Sequence, residues 1–473
     1  MNISPIPIAS SLQISNSSSF TVNRYFFLLS LLASFSPPIL FTFLYESSGD
    51  IIICSTVHAA LSALVLYRVA SESLIRKTNI SMATIFILIN LLYFSISSIK
   101  YFESELYPGF ISNNWIRLLF SLLALTVLWV AFEIVNRYRQ DHLESSFSID
   151  NANLLRILII TLLVLIVYSL WDTYQKGLFF AYISLSELRD ISMEQSALPL
   201  MEKLKVWLMG SLMGFMPMLL ALSYRQRGSR LLVISAFLVT LLYSVVNGTR
   251  GSLFFFVFGL LIAYIRLYAI GKRYFVYLVI LFPLILSMFT FTLLPFTKGM
   301  VSFDKETIKW QLAYRFDLSD FAVTLLQGHE FSFNYDIVTD AFVYSIPKAI
   351  LEDKYDTITN SYEAQLEERG LTPTIDYTDT FFSIGAQLAG LIGYVFCPFF
   401  FIIFLFYFER VIYSLFGGAA NIIIINCLPL YIRVENDLNG LFTDWRMLPM
   451  YIFLGLIEYW LFIKVVHPKI LKT

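Results

Sequence analysis

The sequence predicts an all-α polytopic membrane protein, with about twelve transmembrane helices and one large, partly helical external loop. Three observations carry this. Of 473 residues, 58% are hydrophobic and only 14% charged, whereas a soluble domain has roughly 45–50% apolar and about 25% charged residues. The apolar residues gather in runs close to the roughly 20 that a helix needs to cross a bilayer. Lys and Arg are also distributed unevenly between alternate loops. This composition excludes a soluble enzyme, and 45 Phe with 28 Tyr exclude a disordered chain. A net charge of −1 gives no general attraction to nucleic acid.

Twelve runs qualify as spans: 24–45, 50–70, 80–99, 115–135, 154–175, 206–223, 230–247, 252–270, 274–296, 381–408, 419–434 and 447–466. Residues 1–23 are polar, with no basic stretch ahead of the first apolar run and no cleavage site, so that run is expected to be retained. Placing the N-terminus in the cytoplasm puts 17 Lys and Arg in inside segments and nine in short outside loops. The positive-inside rule therefore predicts that both termini are cytoplasmic. On this topology 27 of 34 Asp and Glu lie outside, which singles out the few arginines among them.

The chain divides into a cytoplasmic segment (1–23), a nine-helix block (24–296), an external loop (297–380), a three-helix block (381–466) and a cytoplasmic tail (467–473). No repeat of 20–50 residues is visible, and the halves do not mirror each other. Within the loop, the spacing of Ile308, Leu312, Arg315, Phe316 and Ser319 predicts a helix over 308–326. A second helix is expected over Tyr335–Ile346, stopped by Pro347. Residues 352–374 read as a polar cap, and Leu178–Leu188 as an amphipathic interfacial helix. Cys54, Cys397 and Cys427 each lie in an apolar run, with neither metal-ligand spacing nor a disulfide framework.

The sharpest local motif is Asn247-Gly248-Thr249-Arg250-Gly251-Ser252, a tight turn between two spans on the outer side. Its glycines permit the turn, and Thr249 or Ser252 can cap the following helix. A helix N-terminus together with the forked donors of Arg250 suits a phosphate or diphosphate oxygen. Taken alone, Arg250 equally fits an arginine reaching for the membrane interface. The external loop adds Tyr314-Arg315-Phe316-Asp317-Leu318-Ser319-Asp320, in which Asp317 and Asp320 are spaced as neighbours on a helix. Arg433-Val434-Glu435 and Asp444-Trp445-Arg446 flank the last two spans. Arginines beside carboxylates on one face can hold a lipid diphosphate and position a general base. Tyr314 and the other loop aromatics offer faces for sugar rings. His329 reads either as a base or as an ordinary loop histidine. No Walker loop, zinc signature or Gly-x-Ser-x-Gly elbow is present, and no metal or cofactor is predicted.

These features resemble the Wzy-type O-antigen (oligosaccharide repeat-unit) polymerases of bacterial inner membranes. The resemblance rests on twelve spans with one large late loop, on Gly248-Thr249-Arg250, and on Arg315 followed by acids. It also includes Ser345-Ile346-Pro347-Lys348, and Phe382-Ser383-Ile384-Gly385 with Gly390 and Gly393. It implies periplasmic transfer of a growing glycan from undecaprenyl diphosphate to a hydroxyl of another lipid-linked repeat unit. A flippase and a chain-length regulator of the same pathway would be partners. On this reading Arg250 and Arg315 bind the diphosphate, Arg433 or Arg446 assists, and Asp317 or Asp320 is the base. The rivals are a flippase, an O-antigen ligase and a non-enzymatic scaffold. Against the flippase stand the long loop, the missing repeat and the scarcity of charges deep in the spans.

Overall fold

The computed structural model describes residues 16–45, 47–75, 80–103, 113–138, 146–149, 152–175, 215–223, 230–246, 250–268, 309–310, 313–314, 316–326, 333–346, 350–351, 366–367, 379–434 and 437–469. The expected span 274–296, the interfacial helix 178–188 and almost all of the 352–374 cap lie outside them.

The first block contains α1 (Asn16–Leu44), α2 (Gly49–Ile75), α3 (Met82–Ser97), which runs into a 3-10 turn (Ser98–Phe102), and α4 (Asn114–Arg137). After these come α5 (Ala152–Gln175), a helical stretch at 215–223, α6 (Arg230–Val246) and α7 (Arg250–Tyr268). Several starts carry the polar cap that their exposed amides require. Ser81 accepts from the Thr84 amide before α3, and Asn113 from those of Trp115 and Ile116 before α4. Every residue of α3 is buried, as expected of a central helix that is apolar all round. By contrast α1 and α5 expose Phe43, Leu32, Val164 and Tyr168, the apolar outer surface that a membrane protein presents to lipid.

The segment expected as the large loop contributes α8 (Asp320–Leu326) and α9 (Tyr335–Ser345), and the closing block α10 (Phe381–Phe416), α11 (Ala420–Asn426), α12 (Leu428–Ile432), α13 (Leu438–Arg446) and α14 (Leu448–Val465). Helix α9 matches its expectation, with Asn334 capping the Ile337 amide and an extended Ile346 ending it just before Pro347. The helix expected over 308–326 is interrupted. Residues 309–310 and 313–314 are helical, 316–319 form a turn, and α8 begins at Asp320, where the Asp317 side chain takes the amides that start it. Asp317 and Asp320 therefore do not share a helix face.

The described residues account for part of the twelve expected spans. Among the described residues six helical stretches are long and apolar enough to cross a membrane, or seven if α13 and α14, bent by 43°, form one span. The expected spans 230–247 and 252–270 are α6 and α7. The eleventh, 419–434, is two short helices broken at Cys427, with Pro429 in the first turn of the second. Together they extend about 20 Å, short of a hydrocarbon layer of about 30 Å.

Helix α10 is two helices. Ala389 and Gly390 leave helical geometry, and Gly390 has φ +57° and ψ −140°, which a side chain would strain. The halves α10a (381–388) and α10b (391–416) fold against each other so closely that a Cβ on Gly385 would lie 2.1 Å from the Gly393 carbonyl oxygen. Thr380 and Ser383 form a reciprocal cap at the start of α10a, and the Asn334 amide donates to the Leu388 carbonyl at its other end (2.8 Å).

Helix ends sort into two groups. At one end Arg68 pairs with Glu72 (2.6 Å) and Glu133 (3.0 Å), Arg266 pairs with Glu409 (3.0 Å), and Arg410 donates to the Tyr138 carbonyl. A two-stranded antiparallel sheet, β1 (Ser146–Ile149) with β2 (Val466–Lys469), closes this end. At the other end Lys309 pairs with Glu103 (3.6 Å), and residues 313–314, 316–326 and 379–388 pack into the bundle.

Candidate functional site

At this second end the charges form a buried cluster centred on Asp320. Lys100 occupies the 3-10 turn after α3, Arg117 the first turn of α4, and Asp320 the start of α8. Lys100 Nζ lies 2.6 Å from Asp320 Oδ1, and Arg117 Nε lies 2.7 Å from Oδ2, with all three side chains at 0% exposure. Both carboxylate oxygens are thus engaged by separate cations. The other Lys100 donors reach Ser121 Oγ (2.8 Å) and Ser319 Oγ (2.6 Å), which completes its three. Arg117 also donates to the carbonyls of Glu103 (2.9 Å) and Lys100 (2.7 Å) and to Asn114 Oδ1 (3.1 Å). Burial alone would raise the Asp320 pKa, but Arg117 and then Lys100 outweigh it and hold the carboxyl below its usual range.

Asp317 has a different task. Its Oδ1 accepts from the amides of Ser319 (3.1 Å) and Asp320 (2.6 Å), and its Oδ2 from that of Phe321 (2.8 Å). The network continues through the helices. His58 Nε2 lies 2.8 Å from the Phe94 carbonyl, which can only accept, so this nitrogen carries the proton. His58 Nδ1 then accepts from the Tyr101 hydroxyl (3.0 Å).

A second group surrounds α13. Arg433 pairs with Asp444 (3.1 Å) while its side chain stays 40% exposed. Arg446, also exposed, donates to the Ser345 carbonyl at the end of α9 (2.6 Å). Beside it Trp445 packs against Phe442 and against Phe404 of α10b, with centroids 5.7 and 5.4 Å apart. Phe404 lies about 20 Å along α10b from the kink, and Leu428 approaches Gly259 halfway along α7. Arg433, which follows α12, and Arg446, which ends α13, are therefore set back within the apolar thickness of the bundle.

The residues proposed from sequence fall out as follows. Asp317 and Asp320 belong to the buried cluster, where neither faces solvent. In this arrangement Asp317 starts the helix and Asp320 holds the two cations. Tyr314 is buried and stacked on Trp310 (4.9 Å), so the ring expected to face a sugar is covered. Arg433 and Arg446 flank α13. Arg250 opens α7. Arg315 and His329 lie outside the described residues, as do residues 247–249 of the glycine turn.

Sequence reasoning missed Lys100 and Arg117, counting them only as loop charges. Their signal is position, since each lies within one turn of an apolar run, where a charge needs a partner. Arg266, Glu409 and Glu458 are likewise buried, Glu458 accepting from Asn426, so charges inside the helices are commoner than the sequence reading held. Comparison of the chain with protein-family models, with curated proteins and with solved structures gave no match.

Proposed function

We propose that the chain is a glycosyltransferase of the O-antigen polymerase type in a bacterial inner membrane, with both termini cytoplasmic. At its periplasmic face it transfers the growing glycan from undecaprenyl diphosphate to a hydroxyl of a new lipid-linked repeat unit. The observation that carries this reading is the setting of Arg433 and Arg446. Arg433 is partly exposed and Arg446 exposed, the latter beside the Trp445 ring that packs on Phe404, and both are set back from the end of the bundle. A charge so placed is costly unless it serves a ligand or an ion pair, and an anion tethered to a lipid reaches such a position from the bilayer. Arg250 and Arg315 complete the diphosphate site. The attacked bond joins the sugar's anomeric carbon to the diphosphate, which leaves as an anion that the arginines stabilise. Because Asp317 and Asp320 are buried, His329 of the same external segment is the better base. The buried pairs Arg266–Glu409 and Asn426–Glu458 favour a flippase as the second reading, since ion-coupled carriers need charges inside their helices.

The test is a glycolipid gel of a strain lacking the gene, in a host that displays the glycan on lipid A. Core capped by a single repeat unit is the expected result, and an Arg250→Ala gene should fail to restore the ladder although its protein inserts normally. Uncapped core identifies a flippase or ligase, and an unchanged ladder removes the protein from the pathway.

A further inference from the structure

We propose that Lys100 and Arg117 are positioning residues. Through Asp320 they dock residues 313–314 and 316–326 of the external segment into the transmembrane bundle, and so hold that segment in register for transfer. The inference rests on the polymerase reading and adds two residues to it.

Three features carry the argument. The clamp joins parts of the chain that are 220 and 203 residues apart, so it sets tertiary placement and not local shape. The cations are themselves fixed, Lys100 by two serines and Arg117 by two backbone carbonyls. The docked turn is also fixed, by Asp317 on three amides, by Trp310 stacked on Tyr314, and by Phe316 against Tyr93 (5.5 Å). Yet stability alone does not call for such a clamp. Buried ion pairs are often replaceable by apolar residues of similar volume at no loss, whereas deleting one partner leaves a charge stranded. The difference separates a packing role from a positioning role.

The experiment compares the parent with Lys100→Met/Arg117→Met/Asp320→Leu, which removes every charge of the clamp. Expected are parental levels of folded, inserted protein and at least a tenfold loss of polymer. Arg117→Lys, which keeps the charge but loses the fork to two carbonyls, should give an intermediate level. A readout independent of activity is labelling of a Phe316→Cys variant by a membrane-impermeant maleimide. Position 316, buried in the docked segment, should be shielded with the clamp intact and labelled in the triple variant. If the triple variant does not accumulate, both readouts are taken on Asp320→Asn. Parental polymer levels together with a shielded position 316 overturn the proposal. A parent that makes no polymer overturns the polymerase reading alone, and the labelling still decides whether the clamp docks the segment.

Discussion

Asp320 shows how little a residue's type settles about its role. A carboxylate beside an arginine in an external loop invites assignment as a base, but here its two oxygens serve two buried cations. Its lowered pKa fixes the sign of the pH response. The stabilisation is complete above the ordinary aspartate value and is lost as pH falls through the lower folded value. Thermal unfolding in detergent should therefore show this component flat from neutral pH to the ordinary aspartate value, declining only in stronger acid. Asp320→Asn should remove that acid-dependent component. At neutral pH the substitution should cost about 3–5 kcal/mol, because Lys100 and Arg117 are left without their counter-charge. The pair Asp317–Asp320 was legible in the sequence as a place of interest, but its geometry was not. A spacing of three residues fits two acids on one helix face, and it fits equally an acid that caps the helix the other begins. Only the partners, some 200 residues away in the chain, separate the two.

Among the elements, α9 and the start of α10 were readable because their signals are local, namely Asn334, Pro347, Thr380 and Ser383. The break inside α10 was visible only as a cluster of glycines. Gly385 and Gly393 let two helical halves touch, a contact that the sequence of one half does not reveal. Their substitution should differ from that of Gly390. A Cβ at Gly385 meets a backbone oxygen at 2.1 Å, so Gly385→Ala must push the halves apart. At Gly390 the space is open and only the positive φ opposes a side chain. Gly390→Ala should cost about 1–3 kcal/mol, and Gly385→Ala clearly more, as unfolding midpoints of the purified variants will show. The eleventh span went wrong for a related reason. Apolar composition reports burial, and both a full crossing and a broken helix inside the bundle are buried.

For the whole molecule, the membrane class followed from composition, and six or seven of the crossings are seen as long apolar helices among the described residues. The two groups of helix ends agree with an alternating path through the bilayer, and the pairing of β1 with β2 puts the segment after α4 beside the segment after α14. A reporter active only in the cytoplasm should therefore give the same signal when inserted at residue 143 and when fused after residue 469, and none when inserted within 352–374. Opposite signals from the first two would contradict the sheet.

The clamp also puts a clock on biosynthesis. Lys100 and Arg117 reach the membrane long before Asp320, whose codon lies 220 positions after that of Lys100. At ~5–20 residues per second, the two cations wait roughly 10–45 s for their counter-charge. During that interval the first four helices hold two positive charges beside their apolar core, so they stay open to water or in the care of the insertion machinery. The amino-terminal block is then the first to be made and among the last to close.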